Sequence, residues 1–181
     1  MVELAVADAY GAGFEYADRP FVVRGNTLAG YVQHPRHRDV PPGRYTDDTQ
    51  MSIAVAEWLL GDDQGIPALA DLFVRAYERD ARAGYARGFR GVLEEVADGT
   101  ELPEVLRPES DMSGAAGMDS TRAAITAPAA HTGTAALSKA CVAYTGDVDR
   151  VATIALAVAS CSAEYTQDLS PALPAGPANG P

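Results

Sequence analysis

The sequence is poor in cysteine, in histidine and in positive charge. Two cysteines and three histidines in 181 residues leave no disulfide framework and no pair with zinc-ligand spacing. His34, His37 and His131 fall in loops or at helix edges and read as surface residues. Cys141 and Cys161 both sit among alanines and valines, which predicts small buried thiols in a reducing cytosol, and hence a cytoplasmic protein. Fourteen Lys and Arg face 25 Asp and Glu, for a net charge of −11. A surface of that sign repels polyanions, so nucleic acid is not an expected partner. Long apolar runs are also missing. The longest, Val151 to Cys161, is too short and too rich in small residues to span a bilayer. Glu3 and Asp8 interrupt the segment where a signal peptide needs its apolar run. No membrane partner is expected.

What the chain does have is helical periodicity and a hydrophobic content of 47%, enough for one domain with a real core. Val2 to Tyr10 predicts a short Ala-rich helix ending at Gly11-Ala12-Gly13. Phe21 to Val32, with Gly25-Asn26 in its middle, predicts a small hairpin or an extended loop. Gln33 to Arg44 carries three prolines and reads as a surface loop. Thr46 or Asp47 then looks like a helix N-cap, and Met51 to Leu60 is apolar nearly all round, as in a helix buried in a bundle. Ile66 to Ala83 is amphipathic, with Arg75, Glu78, Arg79 and Arg82 on its solvated face. Further helices are predicted over Ala86 to Ala97, Met118 to Ala127, Thr134 to Tyr144, and from Gly146-Asp147-Val148-Asp149 to about Tyr165. Tyr85 and Phe89 read as core. The pattern predicts an all-α fold in a single domain over residues 1–169. Residues 170–181, with four prolines and two glycines, read as a disordered tail.

Two acidic pairs carry the chemical interest. Asp47-Asp48 and Asp147-x-Asp149 each open a strongly apolar helix. One reading is structural, since helix N-termini favour anions and accept carboxylate caps. The other is functional. Burying several carboxylates costs several kcal/mol unless cations neutralise them. Magnesium takes hard oxygen ligands of this kind.

Three segments resemble the ADP-ribosylglycohydrolase family. Ala7-Asp8-Ala9-Tyr10-Gly11-Ala12-Gly13-Phe14-Glu15 is similar to its Gly-Asp-Ala-x-Gly-x-x-x-Glu opening. Thr46-Asp47-Asp48-Thr49 is similar to its Thr-Asp-Asp-Thr motif, and Gly146-Asp147-Val148-Asp149 to its Gly-Asp-x-Asp-Thr motif. The resemblance covers roughly Val2 to Leu169. It implies an orthogonal helical bundle, here truncated, with a centre of two Mg2+ ions. It makes Thr46, Asp47, Asp48, Asp147 and Asp149 metal ligands, and Glu15 and Asp47 catalytic. It implies hydrolysis of the N- or O-glycosidic bond between ADP-ribose and a protein side chain, so the expected partner is an ADP-ribosylated protein or an ADP-ribose-like small molecule. Ser113 and Gly114 resemble the start of the segment that contacts the ribose and phosphates.

The match departs at three places. Arg150 stands where the family carries a ligating Thr. The stretch between Ser113-Gly114 and Asp147 is short, which reads as an internal deletion of several helices with a junction near Ala116 to Met118. The usual C-terminal segment is replaced by Pro/Gly-rich sequence. Losing helices would bare apolar faces. A few hundred Å² at about 25 cal/mol/Å² amounts to many kcal/mol, so homo-oligomerisation is one expected response. A site with one ion or none, in a relative that binds ADP-ribose or a partner without turnover, remains the alternative to an active hydrolase.

Overall fold

A computed structural model describes residues 1–63, 65–99, 101, 122–124, 126–169, 171 and 173. These residues fall into two compact units, one drawn from Met1–Tyr45 and Ala115–Pro181, the other from Thr46–Gly114. Each is helical. Among the described residues the one β-feature is an isolated bridge between Gly133 and Thr166. The all-α expectation therefore holds. Among the same residues, no helix is long and apolar enough to cross a membrane.

In the first unit, α1 (Val2–Gly11), α6 (Thr134–Ala143) and α7 (Val148–Ser160) form the centre, with α1 and α6 both packed on α7. The residues between them are small. Ala7, Ala152, Ala155 and Ala159 are buried with Leu137, Cys141 and Leu156. Short side chains let helix backbones approach closely, so the core gains contact density rather than bulk. A second cluster gathers Tyr10, Phe14, Val22, Leu28, Val142 and Val148.

Phe21 to Val32 does not form a hairpin. Its first part is α2 (Arg19–Gly25). The Asp18 side chain accepts from the Phe21 N–H at 2.7 Å, and Pro20 sits in the first turn, where its missing N–H costs nothing. Gly25-Asn26 therefore ends a helix instead of turning a hairpin. Asn26 is then locked in place, donating to the Lys139 carbonyl at 2.8 Å and accepting from the buried Tyr10 hydroxyl at 3.1 Å.

The last helix stops at Ser160, short of the expected Tyr165. Backbone turn bonds close the helix end, from Cys161 N–H to the Val158 carbonyl and from Ser162 N–H to the Ala159 carbonyl, both at 3.2 Å, and the Gln167 side chain donates a second bond to Ala159 at 3.1 Å. The chain past it returns to the start of α6. The Asp168 carboxylate accepts from the Ala135 N–H at 2.8 Å and from the Thr134 hydroxyl at 3.1 Å. Those bonds, the backbone one first, hold the Asp168 carboxyl below its usual range. Asp168 thus caps a helix 33 residues away in sequence.

The second unit holds α3 (Asp47–Leu60), α4 (Ile66–Arg79) and α5 (Arg87–Glu95). Its core is Ala70, Val74, Tyr85, Leu93 and Val96, with Met51, Phe89 and Tyr77 packed against it. Tyr85 and Phe89 are core, as their surroundings predicted. Helix α3 is less enclosed than its all-round apolarity suggested. Thr49, Gln50 and Ala54 are buried, whereas Leu60 is 88% exposed. It packs on α4, and Leu59 and Leu60 in its last turn are exposed. Arg75 and Arg79 do lie on a solvated face, paired with Asp71 at 2.6 Å and Glu57 at 3.0 Å. Arg82 does not, because α4 ends at Arg79 and Arg82 turns inward to pair with Asp80.

The thiols also separate. Cys141 is buried, and burial pushes its thiol up to about 12, whereas Cys161 is exposed just past the end of α7. The expectation of two buried thiols holds for one of them. A thiolate-directed alkylating reagent at pH 8 is expected to label one cysteine, Cys161, in the native protein and both after denaturation. Equal labelling rates at the two sites would contradict this packing.

Candidate functional site

The site in the first unit begins with a glycine. An added Cβ on Gly11 would lie 2.5 Å from the Asp149 Cα and 2.9 Å from its N. Those are backbone atoms, which cannot rotate away. Gly11 is therefore what lets the end of α1 lie directly on the start of α7. The chain then turns at Phe14, whose N–H bonds the Gly11 carbonyl at 2.7 Å, and delivers Glu15. Tyr16 follows in the left-handed region at φ 47°, and its N–H bonds the Gly146 carbonyl at 2.8 Å. The turn that carries Glu15 is thereby joined to the residue before Asp147.

The result is a carboxylate cluster. Glu15, Asp147 and Asp149 each offer an oxygen, and the three oxygens lie within 4.8 Å of one another. Glu15 and Asp147 are half-buried and Asp149 is buried. Asp147 occupies the N-cap position of α7, yet its side chain makes no capping bond to that helix. The capping explanation of this acidic pair thus does not account for Asp147. Partial burial, and next the carboxylates of Asp147 and Glu15, push the Tyr16 phenol above its ordinary value.

Arg150 meets the cluster from α7. Its Nη1 lies 2.7 Å from the Asp147 Oδ2, with Arg150 43% and Asp147 12% exposed, and its backbone N–H bonds the Asp149 Oδ1 at 3.0 Å. Arg150 thus pairs with Asp147, so one negative charge of the cluster already has a cationic partner.

In the second unit, the Thr46 side chain caps α3 by accepting from the Asp48 N–H at 3.4 Å, and the Asp47 N–H bonds the Ala83 carbonyl at 2.9 Å. The Asp47 carboxylate lies where Gly84 leaves room. A Cβ there would come within 1.9 Å of the Asp47 Oδ1, and φ at Gly84 is 114°, a conformation that disfavours any side chain. Thr46, Asp47 and Asp48 thus share one helix start, held against the turn at residues 83–84. Ser113 and Gly114 lie outside the described residues.

One histidine was misread from sequence. His34 is not on the surface but 4% exposed, with its Nε2 2.8 Å from the Glu15 carbonyl oxygen. Its Nδ1 accepts from the N–H groups of His37 at 2.9 Å and Arg36 at 3.1 Å. An acceptor at Nδ1 leaves the proton on Nε2, so the ring donates to Glu15. Burial holds the His34 imidazole below its ordinary value, in keeping with a neutral ring. A loop histidine between Gln33 and Pro35 carries no periodic or spacing signal that distinguishes this role.

The described residues form helices, with carboxylates gathered where α1 and α7 meet. The ADP-ribosylglycohydrolase family model matches residues 2–175, and the chain belongs to that family of hydrolase type. No curated protein and no solved structure matches the chain significantly.

Gly11→Ala is expected to force α1 from α7 and destabilise the protein by about 1–3 kcal/mol or more, the usual cost of overpacking a tight contact. Urea midpoints for the two proteins would measure it. An unchanged midpoint would show that the helices do not meet at this position.

Proposed function

We propose that this chain is a magnesium-dependent hydrolase that cleaves the N- or O-glycosidic bond joining ADP-ribose to a protein side chain. The observation that carries the reading is the convergence of Glu15, Asp147 and Asp149 oxygens within 4.8 Å. Three hard oxygen donors, one of them buried, suit a divalent cation and are costly to hold together without one. Asp147 and Asp149 would be ligands. Thr46, Asp47 and Asp48 are candidate ligands by the family resemblance. When bound, the cation supplies Lewis-acid polarisation at the ribose. Glu15, half-buried and on a turn, would exchange a proton with water or with the leaving group, with Asp47 as the other acid–base candidate. The carboxylates would also favour the positive charge that develops at the anomeric carbon. Ser113 and Gly114 would contact the ribose and phosphates.

The Arg150–Asp147 pair at 2.7 Å favours a second reading, a relative that binds ADP-ribose or a partner without turnover. A guanidinium on a ligand carboxylate opposes a divalent ion. At about 4 Å and an effective dielectric near 20, one unit-charge interaction is about 4 kcal/mol. Because Arg150 is partly exposed, solvent screens much of this.

Calorimetric titration with Mg2+, followed by incubation with ADP-ribosylated peptide, tests both readings. The enzyme reading expects metal binding and released ADP-ribose. Arg150→Thr is expected to tighten Mg2+ by roughly tenfold, a discounted share of the pair energy. Mg2+ binding without released ADP-ribose, in the natural chain and in the variant, would favour the non-enzymatic relative. No Mg2+ binding by either protein would sink the metal reading.

A further inference from the structure

We infer that His34 is a positioning residue, whose Nε2–H bond to the Glu15 carbonyl holds the Glu15 carboxylate in the cluster with Asp147 and Asp149. The consequence for cation binding rests on the reading of that cluster as a metal site. The clamp itself does not.

Glu15 sits on a short turn that no helix holds. Its neighbour Tyr16 adopts a left-handed backbone, which a non-glycine residue leaves readily unless it is restrained. Three restraints converge here. His34 donates to the Glu15 carbonyl at 2.8 Å, Arg36 donates to the Tyr16 carbonyl, and the Tyr16 N–H bonds the Gly146 carbonyl at 2.8 Å. Two of the three come from the loop after residue 32, which has no regular structure of its own. His34 is the buried member of that pair, while Arg36 is exposed.

The imidazole is also oriented. With Nδ1 occupied by the N–H groups of Arg36 and His37, the ring is fixed in the tautomer that donates from Nε2. Stacking on His37, with ring centroids 4.5 Å apart, further limits its rotation. One side chain thus folds its own loop through one nitrogen and anchors the Glu15 turn through the other. Side chains that orient a ligand group in this way commonly change metal affinity when removed.

The two nitrogens can be separated by substitution. His34→Asn places an oxygen near the position of Nδ1, keeping the loop's acceptor but falling short of Glu15. His34→Gln places an N–H near Nε2, keeping the donor to Glu15 but losing the loop's acceptor. Two measurements apply to each folded variant: hydrogen exchange at the Tyr16 amide, and Mn2+ affinity by electron paramagnetic resonance. For His34→Asn we expect at least about tenfold faster Tyr16 exchange and about tenfold weaker Mn2+ binding. His34→Gln should stay near the natural protein in both, with faster exchange at Arg36 and His37 instead.

If His34→Asn does not fold, His34→Gln decides. Retained Tyr16 protection with lost Arg36 and His37 protection supports the clamp, and uniform loss overturns it. Wild-type Tyr16 exchange in His34→Asn, or identical behaviour of the two variants, also overturns it. If the natural protein binds no Mn2+ while His34→Asn still frees Tyr16, the metal reading fails and the clamp stands.

Discussion

The contact between Gly11 and the backbone of Asp149 is the constraint on which the first unit depends. Two helices can approach to backbone distance only where one of them lacks a side chain. That approach fixes where α1 ends relative to where α7 begins. It therefore fixes where the turn after α1 can deliver Glu15, and where the first turn of α7 presents Asp149. Carboxylates do not gather unaided, since mutual repulsion and lost hydration oppose it. Here the packing of an Ala-rich core holds them together. Asp147 finds partial compensation in Arg150, and the Asp149 Oδ1 finds it in a backbone N–H.

Much of the fold was legible because it rests on local rules. Thr46 before Asp47-Asp48 is a helix start that cap chemistry predicts, and α4 shows its apolar stripe in the sequence. The failures have a common cause. Of the hairpin or extended loop expected over Phe21 to Val32, the hairpin lost to Asp18 and Pro20, which start a helix, and to the long-range bonds of Tyr10 and Asn26, and only the part after Asn26 is irregular chain. The last helix was read too long because it closes in a tight turn at Cys161 and Ser162, and Gln167, from beyond it, adds a bond to the same end. Periodicity reports which residues prefer a helix. It does not report which distant groups will hold the segment once it is folded.

The carboxylates were visible as spaced acidic residues, and Glu15, Asp147 and Asp149 do meet. Their surroundings were less visible. Arg150 has two local partners available, and only the rotamer it adopts shows that its guanidinium chooses Asp147. The role of His34 depends on a loop path between residues 33 and 44 that no periodic pattern encodes. The candidate site is therefore written at two levels. The charges are in the motifs, and the groups that aim them are in the irregular segments, as is common where loops carry activity on a helical scaffold.

The small-residue core has one more consequence. Ala7, Ala152, Ala155 and Ala159 lose no rotamer freedom on burial, so the entropic cost of ordering these helices is low. Such a core is tolerant in one direction only. An alanine shortened to glycine removes a single methyl, whereas one enlarged to valine or leucine must displace a helix that has no space to yield. Sequence drift in this unit should then be lopsided. Variants that survive will be concentrated on the outer faces of α1, α6 and α7, and the positions at their mutual crossing will change only among the smallest residues.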